Sequence, residues 1–178
     1  MYNTHTLSLV LGIFLAGTVI EAQTVPSQVS VSPTTSKADA KSDTTTAVAI
    51  VDIISKQGKL PNVLKAEIAK AITAGRTPFV ELGATWCGPC NHLKASLGDK
   101  RMIDAFSGTY IVHLDVDDWK GQLAPLGFVS NGIPAFFAID ANGKATGQVI
   151  TGDAWGEDIP ENMAPPLKEF FRANLRKS

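Results

Sequence analysis

The stretch TPFVELGATWCGPC, residues 77–90, decides the fold. Residues 78–82 read as a buried strand, because apolar residues dominate a short run bounded by turn formers. The chain then passes through Thr85 and Trp86 into Cys87-Gly88-Pro89-Cys90, where a helix is expected to open. In the first turn of a helix the backbone N–H groups lack intrahelical acceptors, and the helix dipole favours an anion. A cysteine at that point, Cys87, is expected to be held as a thiolate. Cys90 lies three residues on, one turn deeper and on the same face. Pro89 is tolerated between them because its missing N–H would have had no intrahelical partner.

Cys87 and Cys90 are the only cysteines of the chain. A bridge between them read purely as a staple adds little stability, since loop-closure stabilisation grows with loop length. Structural zinc needs about four ligands, and beyond the pair the chain offers only His5, His92 and His113. A copper-handling role for Cys87, Cys90 and His92 has no supporting methionine cluster. Exchange chemistry is the better reading, and neither a cofactor nor a metal is expected.

Outward from the pair, helix-like and strand-like runs alternate. Residues 47–54 (AVAIVDII) are an opening strand or a short buried helix, which periodicity does not separate. Pro61 suits a helix start, Leu64, Ile68 and Ile72 share one face at i+4 spacing, and Gly75 suits the stop. One helix follows the cysteines, and a short one over residues 101–106 has Met102, Ile103 and Phe106 as its apolar face. TYIVHLDVDD, residues 109–118, is a strand that ends in acidic residues near Asp117. Residues 119–126 are expected to form a short helix. AFFAID, then Ala141-Asn142-Gly143-Lys144, then ATGQVIT read as a hairpin with a turn that needs positive φ. The last helix is expected to begin near Pro165 and Pro166, with Leu167, Phe170, Phe171 and Leu175 on one face. This order predicts a mixed sheet covered by helices on both faces.

Ala-Thr-Trp-Cys-Gly-Pro-Cys resembles the active site of the thioredoxin family, and Gly132-Ile133-Pro134 resembles that family's cis-proline loop. The similarity spans residues 50–177. It implies an α/β, thioredoxin-like fold, a central mixed β-sheet flanked by helices on both faces. It also implies Cys87 as the attacking thiolate, Cys90 as the resolving thiol, and a redox disulfide between them. Pro134 would be the cis residue facing the disulfide, and the Ile133 backbone would pair with an extended substrate segment; an ordinary trans proline at a strand start is the plainer reading. Trp86 would shape the surface beside the sulfurs, unless it is a core tryptophan. Gly88 and Pro89 would border the substrate, and Gly152 resembles the family's small residue that lets a substrate chain approach.

Glu81 lies in an otherwise apolar strand, where the family often places a buried carboxylate. A buried ionisable group is costly, so Glu81 reads as the proton acceptor for Cys90; a solvated carboxylate at a strand end is the alternative. His113 stands where thioredoxins usually carry a lysine beside the buried acid. Paired with Glu81 it is a possible proton relay that ties exchange to pH, and otherwise it is an exposed histidine. Asn91 and His92 read as surface residues. Residues 153–163 (DAWGEDIPENM) depart from the family pattern as an extra loop, with Trp155 as a plug in the core beneath it.

Residues 7–20 (LSLVLGIFLAGTVI) are apolar over a length of roughly 21 Å as helix, short of the roughly 30 Å hydrocarbon core. They read as the h-region of a signal peptide over residues 1–22, or as an uncleaved N-terminal anchor. Residues 23–46 read as a flexible linker, and residues 47–178 as the thioredoxin-like domain. An exported protein is therefore expected, periplasmic or extracellular. A hydrophobic fraction of 44% with 19% charged residues excludes a disordered chain. Lys and Arg number 16 against 17 Asp and Glu, which argues against nucleic-acid binding by phosphate neutralisation. The expected partners are disulfide-containing client proteins and a membrane or soluble thiol electron donor, and the expected state is a monomer. Reduction of client disulfides leads; isomerase or oxidase action and a non-catalytic thioredoxin-fold binding module are the alternatives.

Overall fold

The computed structural model describes residues 47–176. The expected signal peptide, the linker and His5 lie outside the described residues. The elements in order are β1 (Ile50–Ile53), α1 (Leu60–Thr73), β2 (Thr77–Gly83), α2 (Gly88–Ser96), α3 (Lys100–Ala105), β3 (Thr109–Asp115), β4 (Ala135–Ile139), β5 (Ala145–Thr151) and α4 (Pro160–Asn174). The sheet order is β1-β3-β2-β4-β5. β1, β3 and β2 run parallel, and β4 and β5 are antiparallel to their neighbours.

Alternation along the strands builds two cores, one on each face. Val80 and Leu82 of β2, Val112 and Leu114 of β3 and Phe137 of β4 pack with Leu60 and Leu64 of α1. Phe79, Ile111 and Phe136, one residue out of phase, pack with Leu93, Met102, Leu167 and Phe171 from α2, α3 and α4. Every residue of β2 is buried, as the apolar run at residues 78–82 predicts for a central strand. The cysteine helix therefore leaves the middle of the sheet from its best-buried strand.

Within residues 47–54 the strand reading holds for Ile50–Ile53, which pair with β3 at the sheet edge. On α1, Ile72 departs from expectation: it is exposed, while Glu67, Ile68 and Ala71 are buried. Two successive i+4 steps rotate about 80° around a helix of 3.6 residues per turn, so the buried stripe passes to Ala71. Glu67 keeps its place in the stripe by accepting a 2.8 Å hydrogen bond from the Tyr110 hydroxyl and one of 2.7 Å from Lys70 Nζ. Burial and the adjacent carboxylate push Tyr110 up to about 12.

The helix expected at residues 119–126 does not form. Asp115 Oδ1 accepts hydrogen bonds from the Asp117 and Asp118 amides, which turns the chain as it leaves β3. Gly121 has φ of +85°, and Pro125 lacks the N–H a helix would use. One 3-10 turn, Ala124–Leu126, is all that remains. Trp119 is fully buried in this irregular stretch, with its indole N–H donating to the Ile53 carbonyl at 3.0 Å.

α4 begins at Pro160, earlier than expected, and runs through Pro165 and Pro166. Pro165 is exposed and Pro166 half-buried, so neither sits on the fully buried stripe of the helix. Burial of Met163 and Ala164 before them and Leu167 and Phe171 after them holds the helix together. The extra loop is correspondingly shorter than residues 153–163. Trp155 within it is buried in the core, as expected, and donates to Asp158 at 2.9 Å. The hairpin turns at Gly143, φ +78°, while Asp140 Oδ1 accepts from the Asn142 and Lys144 amides.

Candidate active site

Cys87 is the residue at the N-cap of α2, with Gly88 and Pro89 in its first turn. The Cys90 amide, one of the free N–H groups of that turn, donates to Cys87 Sγ at 3.1 Å. The two sulfurs are joined at 2.07 Å. This is the arrangement that stabilises a Cys87 thiolate after reduction, because an oriented N–H and a helix N-terminus both face the sulfur. Both cysteines are buried, and they pack with Ala84, Val116 and Ile133.

The peptide bond between Ile133 and Pro134 is cis. Ile133 O lies 3.6 Å from Cys87 Sγ, so this loop forms the wall opposite the helix. Ser130 closes the loop, donating its hydroxyl to Gly132 O and accepting from the Gly132 amide. Gly152 donates its amide to Pro134 O at 3.1 Å. A Cβ at Gly152 would meet Pro134 Cδ at 3.5 Å, an ordinary contact. Gly88 and Pro89 are exposed at the mouth of the site.

Trp86 is exposed, and it is fixed by donating its indole N–H to Asp117 Oδ2 at 2.7 Å. Asp117 is a site residue that the sequence reading did not single out, although the acidic end of the β3 run was its signal. Asn91 and His92 are exposed on α2. Asn91 donates to Thr85 O at 3.2 Å, and His92 lies 3.6 Å from Asp158 of the loop that carries Trp155.

Glu81 is 4% exposed, which sets aside a solvated strand-end carboxylate. His113 Nδ1 lies 3.4 Å from its Oε2. Burial pushes the imidazole down, but the hydrogen bond and charge of Glu81, aided by Asp52, outweigh it, and His113 titrates above its ordinary value of 6.5. A folded-state value raised in this way stabilises the fold fully below the unfolded value, and the contribution is lost as pH rises through the folded value. The denaturation midpoint is thus expected to fall as pH rises above about 6.5, and His113→Gln is expected to flatten that fall. Urea titrations of both proteins over a pH series check it; parallel profiles would contradict the pairing.

No family model matches the chain, and the search of curated proteins finds no match. Among solved structures the chain is similar to a thioredoxin from Nicotiana alata, at 16% identity over 73% of this chain and 96% of that one, with a TM-score of 0.48. It is similar to a mutant thioredoxin from Halobacterium salinarum, at 15% identity over 75% and 96% of the two chains, with a TM-score of 0.46. It is also similar to a disulphide isomerase from Xylella fastidiosa, at 24% identity over 65% and 89%, with a TM-score of 0.45. On the chain's own topology, with its mixed five-stranded sheet and a cysteine pair opening the helix after the central strand, the fold is α/β and thioredoxin-like.

Proposed function

We propose that the chain is a thiol–disulfide oxidoreductase of thioredoxin type that reduces protein disulfides. The observation that carries this reading is the Cys90 amide aimed at Cys87 Sγ from the first turn of α2, with the Pro134 loop facing the same sulfur. Reduced Cys87 attacks a client disulfide as thiolate, forming a mixed disulfide and expelling one client thiolate. Cys90 attacks Cys87 Sγ, closes the Cys87–Cys90 bridge and releases the second client sulfur. Glu81 takes the Cys90 proton, since the two residues line the same cavity. Trp86, Gly88, Pro89, Ile133 and Gly152 border the client chain.

The Gly-Pro pair between the cysteines resembles the reductant-like dipeptide of the family and supports reduction over oxidation. Glu81, the acid the family carries in its disulfide-isomerase branch, supports isomerase or oxidase action as the second reading. The apolar run at residues 7–20 supports export, and in an oxidising compartment a thiol donor must return the pair to its reduced form. Redox equilibrium of the Cys87–Cys90 pair against dithiothreitol tests the reading: a strongly reducing pair supports a reductase, and a strongly oxidising pair supports the second.

A further inference from the structure

Three adjacent parallel strands carry an acid, a histidine and an acid on one rung. Register sets Asp52 of β1 beside His113 of β3, and His113 beside Glu81 of β2. His113 Nδ1 faces Glu81 Oε2 at 3.4 Å, while Nε2 faces Asp52 Oδ1 at 4.0 Å. Side-chain exposure climbs along this line, from 6% at Glu81 through 23% at His113 to 63% at Asp52. The rung thus runs from the interior to the surface with a two-nitrogen ring at its centre.

Gly83 makes the ring's position possible. A Cβ at that residue would lie 2.6 Å from His113 Cε1, so a larger side chain in β2 would displace the imidazole. Asp52, His113, Glu81 and Cys90 together line a cavity of about 240 Å³, with Thr85 and Asn91 at its rim. Its lining is largely apolar, with Ile50, Leu93 and Leu97 among the walls, but the polar groups of Glu81, His113, Asp52 and Cys90 meet in it and it is large enough to hold water between Cys90 and the carboxylate.

Building on the exchange reading above, we propose that this rung carries the proton released by Cys90 to solvent, with His113 as the relay between buried Glu81 and surface Asp52. In the resolving step Cys90 Sγ–H gives its proton to the Glu81 carboxylate across the cavity. The Cys90 sulfur electron pair forms the bond to Cys87 Sγ, and the Cys87–client bond breaks with its pair on the client sulfur. The cysteine pair is oxidised by two electrons and the client disulfide is reduced by two. Glu81 then returns to its ionised form by passing the proton to His113 Nδ1, while Nε2 releases its own proton to Asp52 and water.

The relay works only when the imidazole is neutral, because an imidazolium has no lone pair to accept the incoming proton. The groups facing the ring are Glu81 from β2, Asp52 from β1 and Lys94 from α2. The two carboxylates hold its proton on, and Lys94 opposes them. Resolution is therefore slow below the titration of His113 and fast above it. His113 acts through Glu81 and does not touch the sulfurs, so it is a positioning and relay residue.

The test is stopped-flow reaction of the reduced full chain with dithiobis-nitrobenzoate over a pH series. Release of the first coloured thiolate reads attack by Cys87, and release of the second reads resolution by Cys90. The second phase of the parent is expected to rise through an inflection above about pH 6.5. In His113→Gln that inflection is expected to vanish and the second phase to slow about tenfold at high pH, less than the about 10²-fold expected for loss of a general base. Asp52→Asn, a change at an exposed side chain, is expected to move the inflection to lower pH, because one of the two carboxylates holding the proton is gone. An unchanged second-phase profile in both variants would overturn the relay while an intact first phase leaves the exchange reading standing. Absence of a Cys87-dependent first phase in the parent would overturn the exchange reading and the relay with it.

Discussion

Cys90→Ser is expected to accumulate a mixed disulfide between Cys87 and its client, whereas Cys87→Ser accumulates none. The Cys90 amide fixes the two sulfurs within one helical turn, so resolution in the parent is intramolecular. Effective molarities for well-placed groups reach about 10⁵ M, which no external thiol matches, and turnover of Cys90→Ser is expected to fall by about 10³-fold or more. The adduct survives non-reducing electrophoresis and adds the mass of the client, and dithiothreitol releases it. A binding module would give no covalent adduct in either variant, and equal adduct in both would remove Cys87 from its role.

Phe171→Ala is expected to have the largest effect on stability. Phe171 is fully buried on α4 and meets four other rings, Phe106 at 4.8 Å, Phe79 at 4.9 Å, Phe136 at 5.4 Å and Phe170 at 5.5 Å between centroids. It ties β2, β4, α3 and α4 into one core, so little of the cavity left by truncation can collapse. The change costs about 3–5 kcal/mol, a large share of the about 5–15 kcal/mol that holds a typical domain folded. A urea midpoint lowered by that free energy divided by the denaturant slope, with the slope itself unchanged, is the expected result. A midpoint within experimental error of the parent would mean that this face of the sheet is not the core.

The parts of the fold that were legible in the sequence are those where local chemistry and burial agree. β2 is buried throughout because it is central, α2 opens where a proline fits its first turn, and the hairpin turns where Gly143 supplies positive φ. Misreadings arise where tertiary packing overrides local signals. Pro165 and Pro166 are ordinarily helix starters, yet α4 passes through them because buried residues on either side keep its inner face docked. The apolar residues at 119–126 suggest a helix, but Asp115, Gly121 and Pro125 divert the backbone while Trp119 remains in the core.

The site shows the same division. Cys87, Cys90 and Pro134 are carried by a motif, and Glu81 stood out as one acid in an apolar strand. Asp52 is the same signal two strands over, a single acid among β-branched residues, and strand register is needed to bring it beside His113. Asp117 becomes a site residue only through its contact with Trp86, across 31 positions of sequence. Gly83 is equally silent until the His113 ring is seen against it.

The reduction potential of the Cys87–Cys90 pair, measured by equilibration with a dithiothreitol or glutathione series, tests the central claim most directly. The account predicts a reducing value near the about −270 mV of thioredoxin itself. A value near the about −120 mV of a strong dithiol oxidant would contradict it and turn the direction of exchange around.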